Sequence, residues 1–364
     1  MRFPEFEEEW NIKTLGSLSK GIGDGIHATP IYDDNGSYYF INGNNLSERG
    51  INISEATKRV SKEEAYKNNA AILNDRTILL SINGTIGNVA LYNNEPIMLG
   101  KSACFINVSP HINKPYVYHY LQTNKCQTYF KSELTGTTIK NLSLQSVRNA
   151  KIALPSIYEQ NRIAKLLDVI DERIATQSKL IEKLESLIKG IAQNVIRNNM
   201  PNVRLLDCLE CSSSTLQESD ACEHGTYPVY GANGIVGYLD SYNTEGEAVY
   251  IIKDGSGVGT VSYVTGKCAA TGTLNTLQTK DGYSLQYLYY MLKVFNFEPY
   301  KTGMAIPHIY FKDYGKAKVF CPSYTEQLQY ARLLYAIESK LSIEKNILTN
   351  LRLQKQYLLR QMFI

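Results

Sequence analysis

Residues Thr135–Ile170 read TGTTIKNLSLQSVRNAKIALPSIYEQNRIAKLLDVI, and Thr302–Ile337 read TGMAIPHIYFKDYGKAKVFCPSYTEQLQYARLLYAI. The two stretches align without a gap at an offset of 167, with 13 of 36 positions identical. Chance gives about two, so the chain is an internal duplication. The same offset pairs Tyr116 with Tyr283, Tyr120 with Tyr287 and Leu121 with Leu288. Further upstream, LLSINGTIGNVALY from Leu79 matches YIIKDGSGVGTVSYV from Tyr250 as strand, Gly-rich turn and strand.

Each copy ends in a long helix. After Pro155, apolar residues fall at Ile163, Leu167, Ile170 and Ile174, then at Ile181, Leu184, Ile188, Ile191 and Val195. Steps alternating four and three make a heptad seam interrupted at Gln177. Shifted by 167, the seam returns as Tyr330, Leu334, Ile337, Leu341, Leu348, Leu351, Leu358 and Met362. Glu344 stands in the place of Gln177, and Lys355 breaks the seam where Ile188 continues it. Pro-Ser followed by Glu-Gln, at Ser156 and Ser323, predicts an N-cap with a capping box in both copies. Two such helices, each about 60 Å long at 1.5 Å per residue, are expected to pack on each other antiparallel about a pseudo-two-fold axis.

The expected class is α+β. Two α/β domains, at 1–154 and 201–321, alternate with spacer helices at 155–200 and 322–364. TILLSI, NVALY, AVYII and TVSYV read as strands, and helices are expected near Ser61–Asn74, Pro115–Lys131 and Ser284–Phe295. The break after the first long helix falls at Asn198–Asn202.

The 364 residues are 43% hydrophobic and 20% charged, an ordinary globular composition. No run of apolar residues is long enough for a membrane span, and the opening MRFPEFEEEWNIK does not read as a signal peptide. Seven cysteines without framework spacing point to a reducing cytoplasm. The net charge of +3 neither implies nor excludes a nucleic-acid partner. The 27 tyrosines suit a binding surface and β-rich packing equally.

No catalytic constellation is apparent. There is no Asn-Pro-Pro-aromatic or Asp-Pro-Pro-aromatic tetrapeptide, no His-Glu-x-x-His and no Gly-x-Ser-x-Gly. Gly100-Lys101-Ser102 looks like the end of a phosphate loop, but Glu95 stands where the first glycine of the cradle belongs. Cys208, Cys211, Cys222 and His224 are the one zinc-like cluster. Their Cys-x-His second pair fits metal spacing poorly, and the matching stretch Leu15–Leu18 has no cysteine, so free thiols and no metal are expected.

The candidate recognition surface is a set of small, polar, Gly-flanked loops whose side chains suit base edges and phosphates. In the first copy it comprises Lys20, Asp24, His27, Asn42, Asn44, Asn45, Thr85, Thr137, Thr138, Lys140 and Asn141. In the second copy it comprises Asn233, Lys253, Ser256, Thr271, Thr273, Lys301, His308, Tyr310 and Lys312. A basic strip recurs beside each helix start: Lys125, Lys131, Lys140, Arg148 and Lys151, then Lys293, Lys301, Lys312, Lys316 and Lys318. The rest of the second copy is not basic, since residues 202–321 hold 9 Lys+Arg against 12 Asp+Glu.

Two variable α/β units, each followed by a long helix opening Pro-Ser-x-x-Glu-Gln, resemble the specificity subunit of Type I restriction–modification enzymes. The resemblance rests on PSIYEQNRIAKLLDVIDERI, PSYTEQLQYARLLYAIESKL and their spacing, and on the Gly turns at Gly84–Gly87 and Gly255–Gly259. DGIHATP and YPVYGANGIVGYL look like two different recognition-domain types of that family. The resemblance implies a non-catalytic subunit whose two domains each read half of a gapped double-stranded DNA target. The helices, through Ile163, Leu167, Ile170, Ile174, Leu184, Ile188, Leu334, Ile337, Leu341, Leu348 and Leu351, would set the gap and dock modification and restriction subunits. S-adenosylmethionine, ATP and Mg would belong to those partners, with no cofactor in this chain. The rival readings are a coiled-coil scaffold with two ligand-binding domains and a zinc-containing nucleic-acid-binding protein.

Overall fold

The computed structural model describes residues 2–47, 50–68, 70–136, 140–303 and 305–363. It divides into two compact units, Met1–Ser178 with Asn346–Ile364, and Lys179–Lys345. The division cuts both long helices, Ile157–Arg197 and Tyr324–Met362. Each unit therefore holds one α/β domain, the beginning of its own helix and the end of the other.

The two domains share one plan. In the first unit, an antiparallel four-stranded sheet runs in the order Ser19–Asp24, Ala103–Val108, Thr77–Ser81, Val89–Leu91. In the second, the same order is Leu209–Ser213, Leu274–Thr279, Glu247–Ile252, Val261–Thr265. Thr77–Ser81 is buried at every position, which its continuous β-branched and leucine run dictates. A second, smaller sheet sits beside each: Tyr38–Ile41 pairs parallel with Ile97–Leu99, and Tyr227–Gly231 pairs parallel with Ala269–Ala270. Its outer strand differs. The first unit borrows the distant Arg59–Val60, while the second folds back at once as the hairpin Tyr227–Gly231 and Gly234–Leu239.

The expected helix at Pro115–Lys131 is two helices, Lys114–Leu121 and Asn124–Ser132, broken where the Thr123 side chain caps the second by accepting from the Cys126 N–H. Ser284 caps Leu285–Lys293 in the second unit. Superimposing the plans corrects the tyrosine pairing at offset 167. Asn113 and Ser284 are the matching N-caps, so Tyr116 corresponds to Tyr287, an offset of 171. Both tyrosines confirm it, with hydroxyls donating to the backbone oxygens of Ala153 and, at 2.7 Å, Phe320. Counted from these N-caps, the second unit is four residues shorter to its Thr-Gly loop, where the 3-10 turn Glu298–Tyr300 replaces Asn124–Ser132. Four residues are about one helical turn, so the slipped pairing kept aromatic on aromatic.

The helix starts explain their own motif. The Gln160 Oε1 accepts from the Asn113 N–H at 3.0 Å, and its Nε2 donates to the Pro155 carbonyl at 2.9 Å. Gln327 makes the same two bonds, from the Ser284 N–H and to the Pro322 carbonyl, both 2.9 Å. Each buried glutamine thus bolts a domain helix to its long helix. The capping box closes only in the second copy, where Glu326 Oε2 accepts from the Ser323 N–H at 3.1 Å. In the first copy Glu159 turns away, because Arg2 donates two bonds of 2.7 Å to its carboxylate and Trp10 Nε1 a third of 3.2 Å.

The nominated seam lies inward in both units. Ile163, Leu167 and Ile170 share a core with Leu358, Leu359, Met362 and Phe363, so the start of one helix meets the end of the other, antiparallel. In the second unit Ile188 and Leu341 line one cavity, and Lys345 donates to Glu185 at 2.6 Å, again antiparallel. Leu334 and Leu348 are buried, and Ile174, Leu184, Ile337 and Leu351 are half-buried. Lys355 does not break the packing. Its ammonium, 12% exposed, pairs with Asp171 at 2.6 Å and donates to Gln122 Oε1 at 2.8 Å.

Candidate nucleic-acid interface

In the first unit, four loops converge at one end of the main sheet. Gly25 brings the Asp24–His27 turn against the strand Ile97–Leu99, where a Cβ would stand 2.0 Å from the Leu99 carbonyl oxygen. The turn is pinned by the Ile26 N–H donating to that oxygen at 2.9 Å. His27 Nε2 donates to Asp24 Oδ2 at 2.8 Å. The Thr135–Asn141 loop closes on itself by two backbone bonds of 3.0 and 2.9 Å and bridges to Asn83. Asp24, His27, Asn83, Lys101 and Asn141 line one cavity floored by Ile82, Leu142 and Leu144.

Not every nominated residue reaches that cavity. Asn42 and Asn45 hold the Gly43–Asn45 turn: Asn45 Oδ1 accepts from the Asn42 N–H at 2.9 Å, and Asn42 Oδ1 accepts from Ser102 Oγ at 2.9 Å. Thr85 Oγ1 donates to the Gly43 carbonyl at 3.2 Å, tying the Gly-rich turn to this one. Asn44 and Lys140 are exposed. Lys20 stands four residues along its strand from Asp24, about 13 Å away at the rise of a strand. Thr137 and Thr138 lie outside the described residues.

The second unit builds the same platform from other side chains. Lys253 takes the place of Ile82: its N–H donates to the Thr273 carbonyl at 3.0 Å, as that of Ile82 does to Ser102. Thr271-Gly272-Thr273 therefore corresponds to Gly100-Lys101-Ser102. Thr271 is buried, with its hydroxyl 2.8 Å from that of Thr273. The Thr302–His308 loop closes by backbone bonds of 2.9 and 2.7 Å and bridges to Asp254. His308 Nδ1 donates to Asp254 Oδ1 at 2.6 Å. Ser256 and Tyr310 are exposed, and the Lys312 ammonium lies 5.4 Å from the Tyr310 ring centroid. Asn233 sits apart, at the tip of the hairpin that the first unit lacks.

The basic strip is thinner than its composition implies. Lys293 donates to Glu338 of the long helix at 2.8 Å, Lys301 pairs with Glu298 at 2.5 Å, and Arg148 donates to the Ile22 carbonyl at 2.6 Å. Lys125, Lys131, Lys140, Lys151, Lys312, Lys316 and Lys318 remain exposed. Lys101, absent from the candidates, is exposed at the rim of the first cavity. An alignment at offset 171 finds it, because it then falls opposite Gly272 between nominated threonines.

The cysteines form no such platform. Cys208 is buried against the Cys321 thiol, and that contact together with burial pushes it well above the usual thiol range. Cys211 is half-buried and Cys222 exposed, and no group of three metal-ligating side chains occurs among the described residues. No helix among them is long and apolar enough to cross a membrane.

The family model described as the Type I restriction modification DNA specificity domain matches residues 7–186 and again 199–353. Among curated proteins, a type I specificity subunit assigned in Mycoplasma genitalium is 25% identical, with 97% of this chain and 94% of that one covered. Another in Mycoplasma pneumoniae is 26% identical over 91% and 90%. Among solved structures, the crystal structure of a Type I restriction-modification S subunit from M. genitalium matches with a TM-score of 0.66 and 20% identity, covering 100% of this chain and 99% of that one.

Proposed function

The chain belongs to the Type I restriction modification DNA specificity family as a non-catalytic specificity subunit, and we propose on that footing that its two units read the two parts of a gapped duplex. The observation that carries this reading is the repeated loop platform, one scaffold with different side chains. Asp24, His27, Asn83, Lys101 and Asn141 would face one half-site, and Asp254, His308, Tyr310 and Lys312 the other. Exposed lysines hold the backbone by phosphate contacts, while the loop side chains discriminate bases. Unlike platforms imply unlike half-sites, hence an asymmetric target.

The chemistry belongs to partners on this proposal. Modification subunits would methylate adenine with S-adenosylmethionine, and restriction subunits would use ATP and Mg. Apolar side chains exposed on the long helices, Tyr158 (76%), Leu187 (48%), Leu333 (49%), Tyr335 (56%), Ile343 (59%) and Tyr357 (54%), support partner docking there. The assembled complex would act on DNA in the cytoplasm.

A genome-wide map of methylated adenine, with and without this chain, tests the reading. Loss of one two-part motif on deletion is the expected result, and an unchanged map refutes it. The same map tests the helices as a spacer. Four residues inserted before Ile181 add about 6 Å of helix and should lengthen the gap of the motif by about two base pairs. An unchanged gap refutes the spacer role while leaving the reading role standing.

A further inference from the structure

We infer that His308 recognises a hydrogen-bond donor on a DNA base, and that Asp254 is the positioning residue that makes it an acceptor. The inference rests on the DNA-reading role proposed above and specifies what the second unit reads. The backbone at His308 is held on both sides. It is closed onto Thr302 by two hydrogen bonds, and its neighbours are held by the Ile309 N–H donating to the Lys253 carbonyl at 2.9 Å and the Gly255 N–H to the Pro307 carbonyl at 3.0 Å. The Nδ1 of His308 lies 2.6 Å from Asp254 Oδ1. An ionised carboxylate only accepts, so the ring proton sits on Nδ1. In its neutral form the imidazole then presents the Nε2 lone pair. That atom has no hydrogen-bond partner among the described residues, and the side chain is about a third exposed. Gly303, at φ +88°, lies close beside the ring: a Cβ there would stand 2.3 Å from the Ile306 carbonyl oxygen and 3.1 Å from Cδ2, the carbon beside Nε2.

A fixed acceptor selects a donor. In the major groove the donors are the exocyclic amines of adenine and cytosine, and reversing the base pair puts an acceptor in the amine's place. At the matching place the first unit lacks this polarity. Its bridged pair is Asn83 and Asn141, whose amides carry donor and acceptor together. Asp254→Asn should remove the fixed polarity in the second unit, since the new amide can accept or donate and the ring can then turn out Nε2–H.

The test uses the full chain and a duplex carrying its mapped motif. The amine is deleted base by base, with purine for adenine and 2-pyrimidinone for cytosine. At one position of one half-site, amine deletion should weaken the wild type about tenfold, the scale of one discriminating contact. The same deletion should leave His308→Ala binding unchanged, the signature of a coupled pair. Asp254→Asn should accept the reversed base pair at that position and nowhere else. The double variant Asp254→Asn with His308→Asn copies the pair the first unit already folds with, and should keep discrimination at all other positions. Additive effects of amine deletion and His308→Ala at every position, or full discrimination by Asp254→Asn, overturn the inference alone. A wild-type chain that binds the gapped duplex no better than an unrelated one overturns the DNA-reading role and the inference with it.

Discussion

Each unit has a carboxylate at the same place on its long helix, where a domain helix packs, Asp171 in the first and Glu338 in the second, 167 residues apart. The donors differ. Asp171 takes its lysine, Lys355, from the end of the other long helix, beside the fully buried His119, whose Nε2 is 2.7 Å from Asp168. Glu338 takes its donors from the domain itself: Tyr289 at 3.0 Å, Tyr290 at 2.8 Å and Lys293 at 2.8 Å. The position is shared and the source of charge is not. A duplicated fold can therefore keep a fastening point while each copy satisfies it separately, because a half-buried carboxylate needs hydrogen-bond donors but not any particular strand to supply them.

Removing the donor in the first unit should have the largest effect. Lys355→Ile copies Ile188, which stands at the matching place, and leaves Asp171 next to His119 without its cation. Breaking a largely desolvated pair costs about 3 kcal/mol, towards the lower end because Asp171 is 27% exposed. Denaturant unfolding should show that loss. A stability within about 0.5 kcal/mol of the wild type would make the pair a surface ion pair and the comparison empty.

The helix starts offer the next test. Glu159 is 1% exposed and holds Arg2 and Trp10, whereas Glu326 is exposed and serves its own cap. Glu159→Ala strands Arg2, itself 22% exposed, and should cost about 2–3 kcal/mol. Glu326→Ala should cost about 1 kcal/mol or less, the worth of an exposed capping box. Equal losses at the two positions would mean that the N-terminal segment contributes nothing to the first helix start.

The same contrast marks what the amino-acid sequence makes legible. The duplication, the two seams, two of the four strands of each main sheet and the starts of the long helices follow from spacing and residue type. The tyrosine pairing slipped by four because a lost helical turn preserves phase. Lys355 looked like a seam defect because a heptad pattern counts apolar residues and cannot see Asp171 and Gln122 waiting for it. Asn42, Asn45 and Thr85 hold turns in the structure, and the sequence cannot separate that role from base contact because the same residue types serve both. Lys101 is hard to see because Gly100-Lys101-Ser102 imitates the end of a phosphate loop, and its counterpart Gly272 appears only at offset 171. Which loop side chain faces outward is set by neighbours on other strands, and one sequence does not contain that information.

Acid should separate the two fastenings by a smaller margin. Burial alone would raise the Glu338 carboxyl, but the bonds from Lys293 and Tyr290 outweigh it and hold its pKa below the ordinary value. A depressed folded pKa means that the unfolded chain binds the proton more readily, so the carboxylate contributes stability in full above the unfolded pKa of about 4.3. The contribution goes as pH falls through the lower folded value. Lys293 is 34% exposed and Glu338 30%, so solvent screening reduces the effect to about 1 kcal/mol. The stability gap between wild type and Glu338→Gln should therefore be widest above pH 5 and narrow as pH falls towards 3, read from denaturant midpoints across that range. A gap that stays constant with pH would mean that the three donors fasten the second unit by geometry alone, with no charge at Glu338 taking part.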